Sequence, residues 1–271
     1  LSANQQIVLI GFGNMGQALV RGWLGVGRSP TTIRIVDTAN AALAAATALG
    51  VASSATPAEA LAVARPDVVV LAVKPNQIAA VLGDCRVATS AVFLSIAAGK
   101  TLAQLESGLG SGAAVVRAMP NTPAAIGRGM TGLAANNAVT PAQRALCAEL
   151  LTAVGEVAWL ADEAQMDVVT AVSGSGPAYV FLLVECLERA GRELGLDAAL
   201  AKQLAVATVA GAGLYAAQSA TDAAELRKRV TSPNGTTQAA LDVLMGDAGL
   251  DSLITRAVRA AAARSRELSA A

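Results

Sequence analysis

Short, almost unbroken apolar runs recur along the first part of the chain, each followed by residues of a different character. IVLIG (7–11), IRIVD (33–37), DVVVLAV (67–73), AVFLSI (91–96) and AAVVRAM (113–119) read as strands, and 15–23, 40–49, 57–64 and 77–82 read as helices between them. A strand that is apolar on both faces is covered on both faces, as in a parallel sheet wrapped by helices. The alternation therefore predicts right-handed crossover units in an open, doubly wound sheet. After about Asp162 the β-type runs stop, and Ala/Leu/Glu/Arg segments follow at 163–172, 178–195, 197–218, 222–230, 237–245 and 249–269. The expected organisation is an α/β domain over 1–161 and an all-helical domain over 162–271. With no Gly/Ser linker between them, a continuous helix is expected to join the two. Thr140 and Pro141 have the residue types of a helix N-cap and first helical position.

Composition narrows the chemistry. Of 271 residues 54% are hydrophobic but only 3% aromatic, so the cores must be built from Ala, Val and Leu. Twenty basic residues balance twenty acidic ones, which gives no electrostatic reason to expect nucleic acid. Histidine is absent, removing the commonest general acid–base group and the commonest metal ligand. Cys85, Cys147 and Cys186 are isolated from one another, so no metal site or disulfide framework is expected, and a reducing cytoplasm suits them. The start, LSANQQIVLIG, lacks the basic and long apolar regions of a secretory signal. Gln203 to Thr221 carries no charge, but its polar residues and the lack of flanking aromatics favour a helix buried on all sides, with a subunit interface as one place for it, over a membrane span.

The first strand ends in Gly11-Phe12-Gly13-Asn14-Met15-Gly16, a GxGxxG turn that opens a helix. In that position the pattern is a dinucleotide-binding signature of Rossmann-type domains. Gly11 permits the tight turn, Gly13 lets backbone approach a pyrophosphate, and Gly16 lets helix and strand pack closely, while the helix start supplies amide donors. Asp37, at the end of the second strand, has two compatible roles. It can accept hydrogen bonds from an adenosine ribose, which leans the coenzyme choice towards NADH, or it can cap the following helix. Arg34 nearby bears on the same preference, and Thr38 adjoins the site. Further loops leave the carboxyl ends of strands, where ligands bind in open α/β sheets. These are Ala72-Val73-Lys74-Pro75, Ala97-Ala98-Gly99, and the Met119-to-Pro123 loop carrying Asn121. Lys74 is either a coenzyme contact or an ordinary solvated lysine.

Two polar interruptions break the helical half: Ser173-Gly174-Ser175-Gly176-Pro177-Ala178, and Ser232-Pro233-Asn234-Gly235-Thr236-Thr237. Both are expected to set consecutive main-chain amides at or before a helix start, which is a receptor for a small carboxylate. Helix capping alone explains the first as well as it explains a ligand site. The second has more small polar groups than a cap needs.

In order and spacing, GFGNMG, AVKP, AAG, MPNTP, AVSGSGPAY and VTSPNGTT resemble the pyrroline-5-carboxylate reductase family, and the resemblance spans essentially the whole chain. It implies NAD(P)H-dependent reduction of the C=N bond of 1-pyrroline-5-carboxylate to L-proline. It also implies Rossmann domains joined to helical domains that interlock into a homodimer, with some members assembling further into a decamer, and a substrate pocket shared between subunits. Thr237 matches the threonine that hydrogen-bonds the ring nitrogen, the 232–237 loop (Ser232, Asn234, Gly235, Thr236, Thr237) matches the carboxylate-binding loop, and Glu163 matches a glutamate near the active site, which the resemblance places among the substrate-binding residues. Asn234 stands where many members have glycine. Thr56-Pro57 and Asp37-Thr38 also depart from common versions of the adenosine-side loops, and both bear on coenzyme choice.

A 3-hydroxyacid dehydrogenase is a rival reading, although Lys202 and Lys228, the only lysines after Lys100, lie outside any small-residue pocket motif. A non-catalytic NAD(P)H-binding module is a second rival, and it leaves the SPNGTT bend without a purpose. The apolar stretch Ala199 to Ala217, with Gly211 and Gly213, predicts an obligate homodimer formed through the helical domain.

Overall fold

The computed structural model describes residues 5–270. The chain begins β1 (Ile7–Ile10), α1 (Asn14–Gly25), β2 (Ile33–Val36), α2 (Asn40–Ala48), β3 (Ala52–Ser54), α3 (Pro57–Val63) and β4 (Val68–Leu71). It continues through α4 (Ile78–Cys85), β5 (Val92–Ser95), α5 (Leu102–Leu109), β6 (Val115–Met119), β7 (Gly129–Ala135), α6 (Pro141–Thr152) and β8 (Gly155–Trp159). These strands form one 8-stranded sheet in the order β3-β2-β1-β4-β5-β6-β7-β8. From β3 to β6 all neighbours are parallel, in the arrangement typical of Rossmann domains. β7 turns back antiparallel to β6, and β8 pairs parallel with β7.

The continuous apolar strands do serve two faces. Ile7 and Leu9 of β1 join Leu19, Val20 and Trp23 of α1 in one core, whereas Val8 and Ile10 join Leu71, Ile78 and Leu105 in the other. Trp23 is 1% exposed and its indole N–H donates to the carbonyl of Leu150 at 2.7 Å, so the chain's bulkiest buried side chain leaves no polar atom unpaired. Thr140 caps α6 in a reciprocal capping box with Gln143, with Pro141 in the first turn, as the sequence predicts.

Beyond β8 come α7 (Met166–Val169), a π-helical turn at Thr170–Gly174, α8 (Gly176–Glu193), α9 (Ala198–Gln218), α10 (Ala223–Arg229), α11 (Thr236–Leu244) and α12 (Leu250–Ala270). Helical turns follow one another from Glu163 to Glu193, with a bend at Ser175 between the π-helical turn and α8 where the sequence predicts a continuous helix. The packing divides the chain after Gly174 rather than after residue 161, and the final turns of α12 from Ala262 also belong to the first unit. The reason is burial. Met166, 1% exposed, joins the core on one face of the sheet, Val169 packs against Gly132, and Ala171 is 0% exposed. At the chain's end, Ser265 donates to an Asp167 carboxylate oxygen at 2.6 Å.

The second unit is Ser175–Ala261. Within the chain only Ala201 and Ala205 of α9 are buried, and Leu204, Val206, Leu214 and Tyr215 are exposed, so burial of this helix on all sides needs a surface from outside the chain. Glu163–Glu193 and Ala198–Gln218 are both long and apolar enough, by length and composition, to cross a membrane.

Candidate active site

The GxGxxG turn follows from close backbone contacts. Gly11 has φ +97°, and its amide donates to Val36 O at 2.8 Å. A Cβ there would stand 2.7 Å from the carbonyl of Ala72, so only glycine lets β4 pass so near. A Cβ on Gly16 would meet Gly11 O at 2.4 Å. Gly13 is different: nothing lies within 4 Å of its Cβ position, and it caps α1 without any side-chain hydrogen bond. Asn14, Met15 and Gly16 thus open the helix with first-turn amides that no side chain caps, beside open space, a fit for a pyrophosphate.

Asp37 accepts from Phe12 N at 2.7 Å through one oxygen and from Ala39 N at 2.9 Å through the other. The carboxylate locks the glycine turn to the end of β2, and each oxygen keeps a further lone pair for a ribose hydroxyl. The ribose-acceptor role is compatible with this geometry, but the helix-cap role is not met, because the N-cap of α2 is Ala39 and no side chain caps that helix. A cavity of about 370 Å³ opens at this point, its lining including Gly13, Asp37, Thr38, Ala72, Val73 and Lys74. Pro75 begins the short turn that follows Lys74. Gln77 and Pro57 also line it.

The loop after β5 is firmly built. Ala97 N donates to Ser95 Oγ at 3.3 Å, Ala98 is exposed, and Gly99 adopts φ +71°. Asn121 is held on both sides of its carboxamide: its oxygen accepts from Met130 N at 2.8 Å, and its nitrogen donates to the carbonyl and hydroxyl of Ser173, each at 3.2 Å. Its side chain therefore fixes the loop between β6 and β7. Asn14 and Met15 line a further cavity of about 420 Å³ together with Thr122.

In the second unit, Ser232 O accepts from Gly235 N at 3.0 Å, closing a turn with Pro233 and Asn234 at its centre. Asn234 has φ 61°, the one positive value outside glycine among the described residues. Proline followed by a left-handed residue is the pattern of a type II turn, and Asn is among the few side chains that tolerate that region. α11 then begins at Thr236 with Gly235 as its N-cap and no capping side chain, leaving the amides of its first turn and the hydroxyls of Thr236 and Thr237 at one helix start. The SGSGPA segment departs from expectation. It lies inside the helical run, with Ser175 in the α region after the π turn, so it offers no comparable free helix start.

Residues 163–268 match the family described as pyrroline-5-carboxylate reductase dimerisation, and residues 6–99 match "NADP oxidoreductase coenzyme F420-dependent". The chain is 45% identical over 271 residues to the pyrroline-5-carboxylate reductase of Pseudomonas aeruginosa, covering 97% of this chain and 96% of that one. The chain belongs to the pyrroline-5-carboxylate reductase family. The Mycobacterium tuberculosis reductase is 40% identical over 292 residues, with 97% of this chain and 96% of that one covered. Among solved structures, the Coxiella burnetii reductase matches with a TM-score of 0.93 at 38% identity, over 98% of this chain and 99% of that one. The Plasmodium falciparum reductase, solved with NADP bound, matches with a TM-score of 0.84 at 28% identity, over 98% and 99%.

Within this family member, Glu163 pairs with Arg117 at 2.7 Å, and the same oxygen accepts from Leu102 N at 2.8 Å. Sequence reasoning placed Glu163 with the substrate and overlooked Arg117 and Gln77. Arg117 had a signal: a lone charge inside the apolar strand VVRAM must find a buried partner. Gln77 had none, because it joins the cavity only through the short turn after Pro75.

Proposed function

We propose that this protein catalyses the reduction of 1-pyrroline-5-carboxylate to L-proline with NAD(P)H, the last step of proline biosynthesis. The observation that carries the reading is the uncapped start of α11, a carboxylate receptor with two threonine hydroxyls, in a chain whose other unit holds a complete dinucleotide turn. When bound, the reduced nicotinamide supplies a hydride for the imine carbon. The chain's own work is to receive and align. The first-turn amides of α11 and the Ser232–Thr236 bend receive the substrate carboxylate, and Thr237 orients the ring nitrogen through its hydroxyl. A protonated cyclic imine is already electrophilic, so alignment and exclusion of water supply much of the rate without a histidine.

Asp37 supports a preference for NADH, since a carboxylate beside the ribose repels a 2′-phosphate. The exposed apolar residues of α8 and α9 support a homodimer formed through the second unit, in a cytoplasmic enzyme. The first unit then serves the coenzyme, and the second unit the substrate and the partner subunit. Sedimentation distinguishes a dimer from a decamer.

The test is oxidation of NADH or NADPH on addition of 1-pyrroline-5-carboxylate, with kcat/KM compared between the two coenzymes. Thr237→Ala is expected to lower kcat about tenfold or more while leaving coenzyme affinity near normal. Full activity in that variant removes Thr237 from the mechanism. Turnover only with hydroxyacids, or coenzyme binding without any turnover, overturns the proposed function.

A further inference from the structure

The Ala97–Gly99 loop leaves the carboxyl end of β5, where ligands of open α/β sheets bind, yet it consists of small residues with no side chain to hold them in place. Its order must come from its neighbours. At its far end Thr101 caps α5 in a reciprocal box with Gln104, which satisfies the amides of Thr101 and Gln104. The amide of Leu102, between them, is satisfied by Glu163 Oε1 at 2.8 Å. That same oxygen is 2.7 Å from Arg117 Nη1 on β6, and Arg117 is only 5% exposed. One carboxylate thus ties the loop's exit to the neighbouring strand. A neutral acceptor would hold the amide more weakly, because hydrogen bonds to ionised groups are roughly twice as strong as neutral ones.

We infer that Glu163 is a positioning residue for the coenzyme: with Arg117 behind it, its carboxylate fixes the Leu102 amide and so sets the Ala97–Gly99 loop against the nicotinamide half of the dinucleotide. The inference rests on the proposed NAD(P)H-dependent reaction, and it replaces the substrate-ligand role that family resemblance gives Glu163. Arg117 holds the carboxylate in place, and the carboxylate orders the loop.

The experiment uses the full chain and NADH as the probe, with binding followed by nicotinamide fluorescence, KM for 1-pyrroline-5-carboxylate measured in parallel, and thermal midpoints recorded for every variant. Glu163→Ala is expected to weaken NADH binding about tenfold and to leave the substrate KM within about twofold, since a lost charged hydrogen bond of about 1.5 kcal/mol corresponds to that ratio. Glu163→Gln, which keeps an acceptor for Leu102, is expected to recover most of the affinity. Glu163→Ala also leaves Arg117 buried without a partner, so it is paired with the double variant R117M/E163A, in which no unpaired charge remains. The double variant is expected to regain thermal stability while NADH binding stays weak, because the Leu102 amide still has no acceptor. If affinity returns together with stability, Glu163 has only a structural role and the inference falls. It falls equally if Glu163→Gln or Glu163→Ala raises the substrate KM and leaves NADH binding unchanged. Wild-type protein that binds NADH but does not reduce 1-pyrroline-5-carboxylate strikes at the proposed reaction instead, because the NADH titration needs no turnover.

Discussion

The first compact unit hides its apolar residues and the second displays them. Every residue of β1 and β4 is buried, with Val68, Val69, Val70 and Leu71 all at 0% exposure. In α8 and α9, by contrast, Phe181 is 60% exposed and Leu204 48%. The sheet has helices on both faces and closes its own core. Helix α9 is apolar around much of its circumference, and most of it is left exposed within this chain. Residues 163–268 match a family described by its dimerisation, and exposed apolar surface of this extent marks an interaction face.

The contrast can be attacked from either side. The largest effect is expected from Leu204→Glu, which sets a charge on the exposed apolar face of α9. Dimer dissociation should strengthen by at least about a hundredfold, read by sedimentation, since burying an unpaired charge at an interface is costly. A variant that remains dimeric at high dilution would show that α9 is not the covered face.

In the first unit, Gly16→Val is expected to cost about 3 kcal/mol or more in denaturant unfolding, because its Cβ would collide with Gly11 O in a core that cannot yield. An unchanged unfolding midpoint would mean that the helix shifts away from the strand at little cost.

The smallest effect distinguishes the cysteines. Burial pushes the Cys85 thiol from 9.0 up to about 12, with the charge of Asp84 adding to the rise, and burial alone pushes Cys147 from 9.0 up to about 12. The fold favours the neutral thiol in both. Their contribution to stability is therefore fully present below pH 9 and is lost as pH rises through about 12. Native protein at about pH 8 should be alkylated at the exposed Cys186 and spared at Cys85 and Cys147. Rapid labelling of all of them would refute the closed core.

Much of the first unit was legible because its strands are long apolar runs and its turn needs glycines. β7 was not: GMTGLAA lacks a β-branched run, and its strand character comes from pairing with β6. β3 (ASS) and β8 (GEVAW) are short edge segments whose place in the sheet depends on the neighbouring strand rather than on their own pattern. In the second unit, helix positions were readable from composition, but what covers α9 was not. Apolar content along a helix shows that some surface must cover it, and does not show which chain supplies that surface.

Local chemistry in the chain order settled the turns: glycine at Gly11 and Gly16 for close approach, proline and asparagine at Pro233 and Asn234 for a left-handed bend, and Thr140 with Gln143 for a cap. Each depends on residues a few positions apart, so adjacency along the chain suffices. The partners of Asp37, Asn121 and Glu163 were settled by packing, because a carboxylate or amide far from its donors in sequence can satisfy any of several groups. Folding brings one of them within 3 Å and in line, as it does for Leu102 N at 2.8 Å from Glu163.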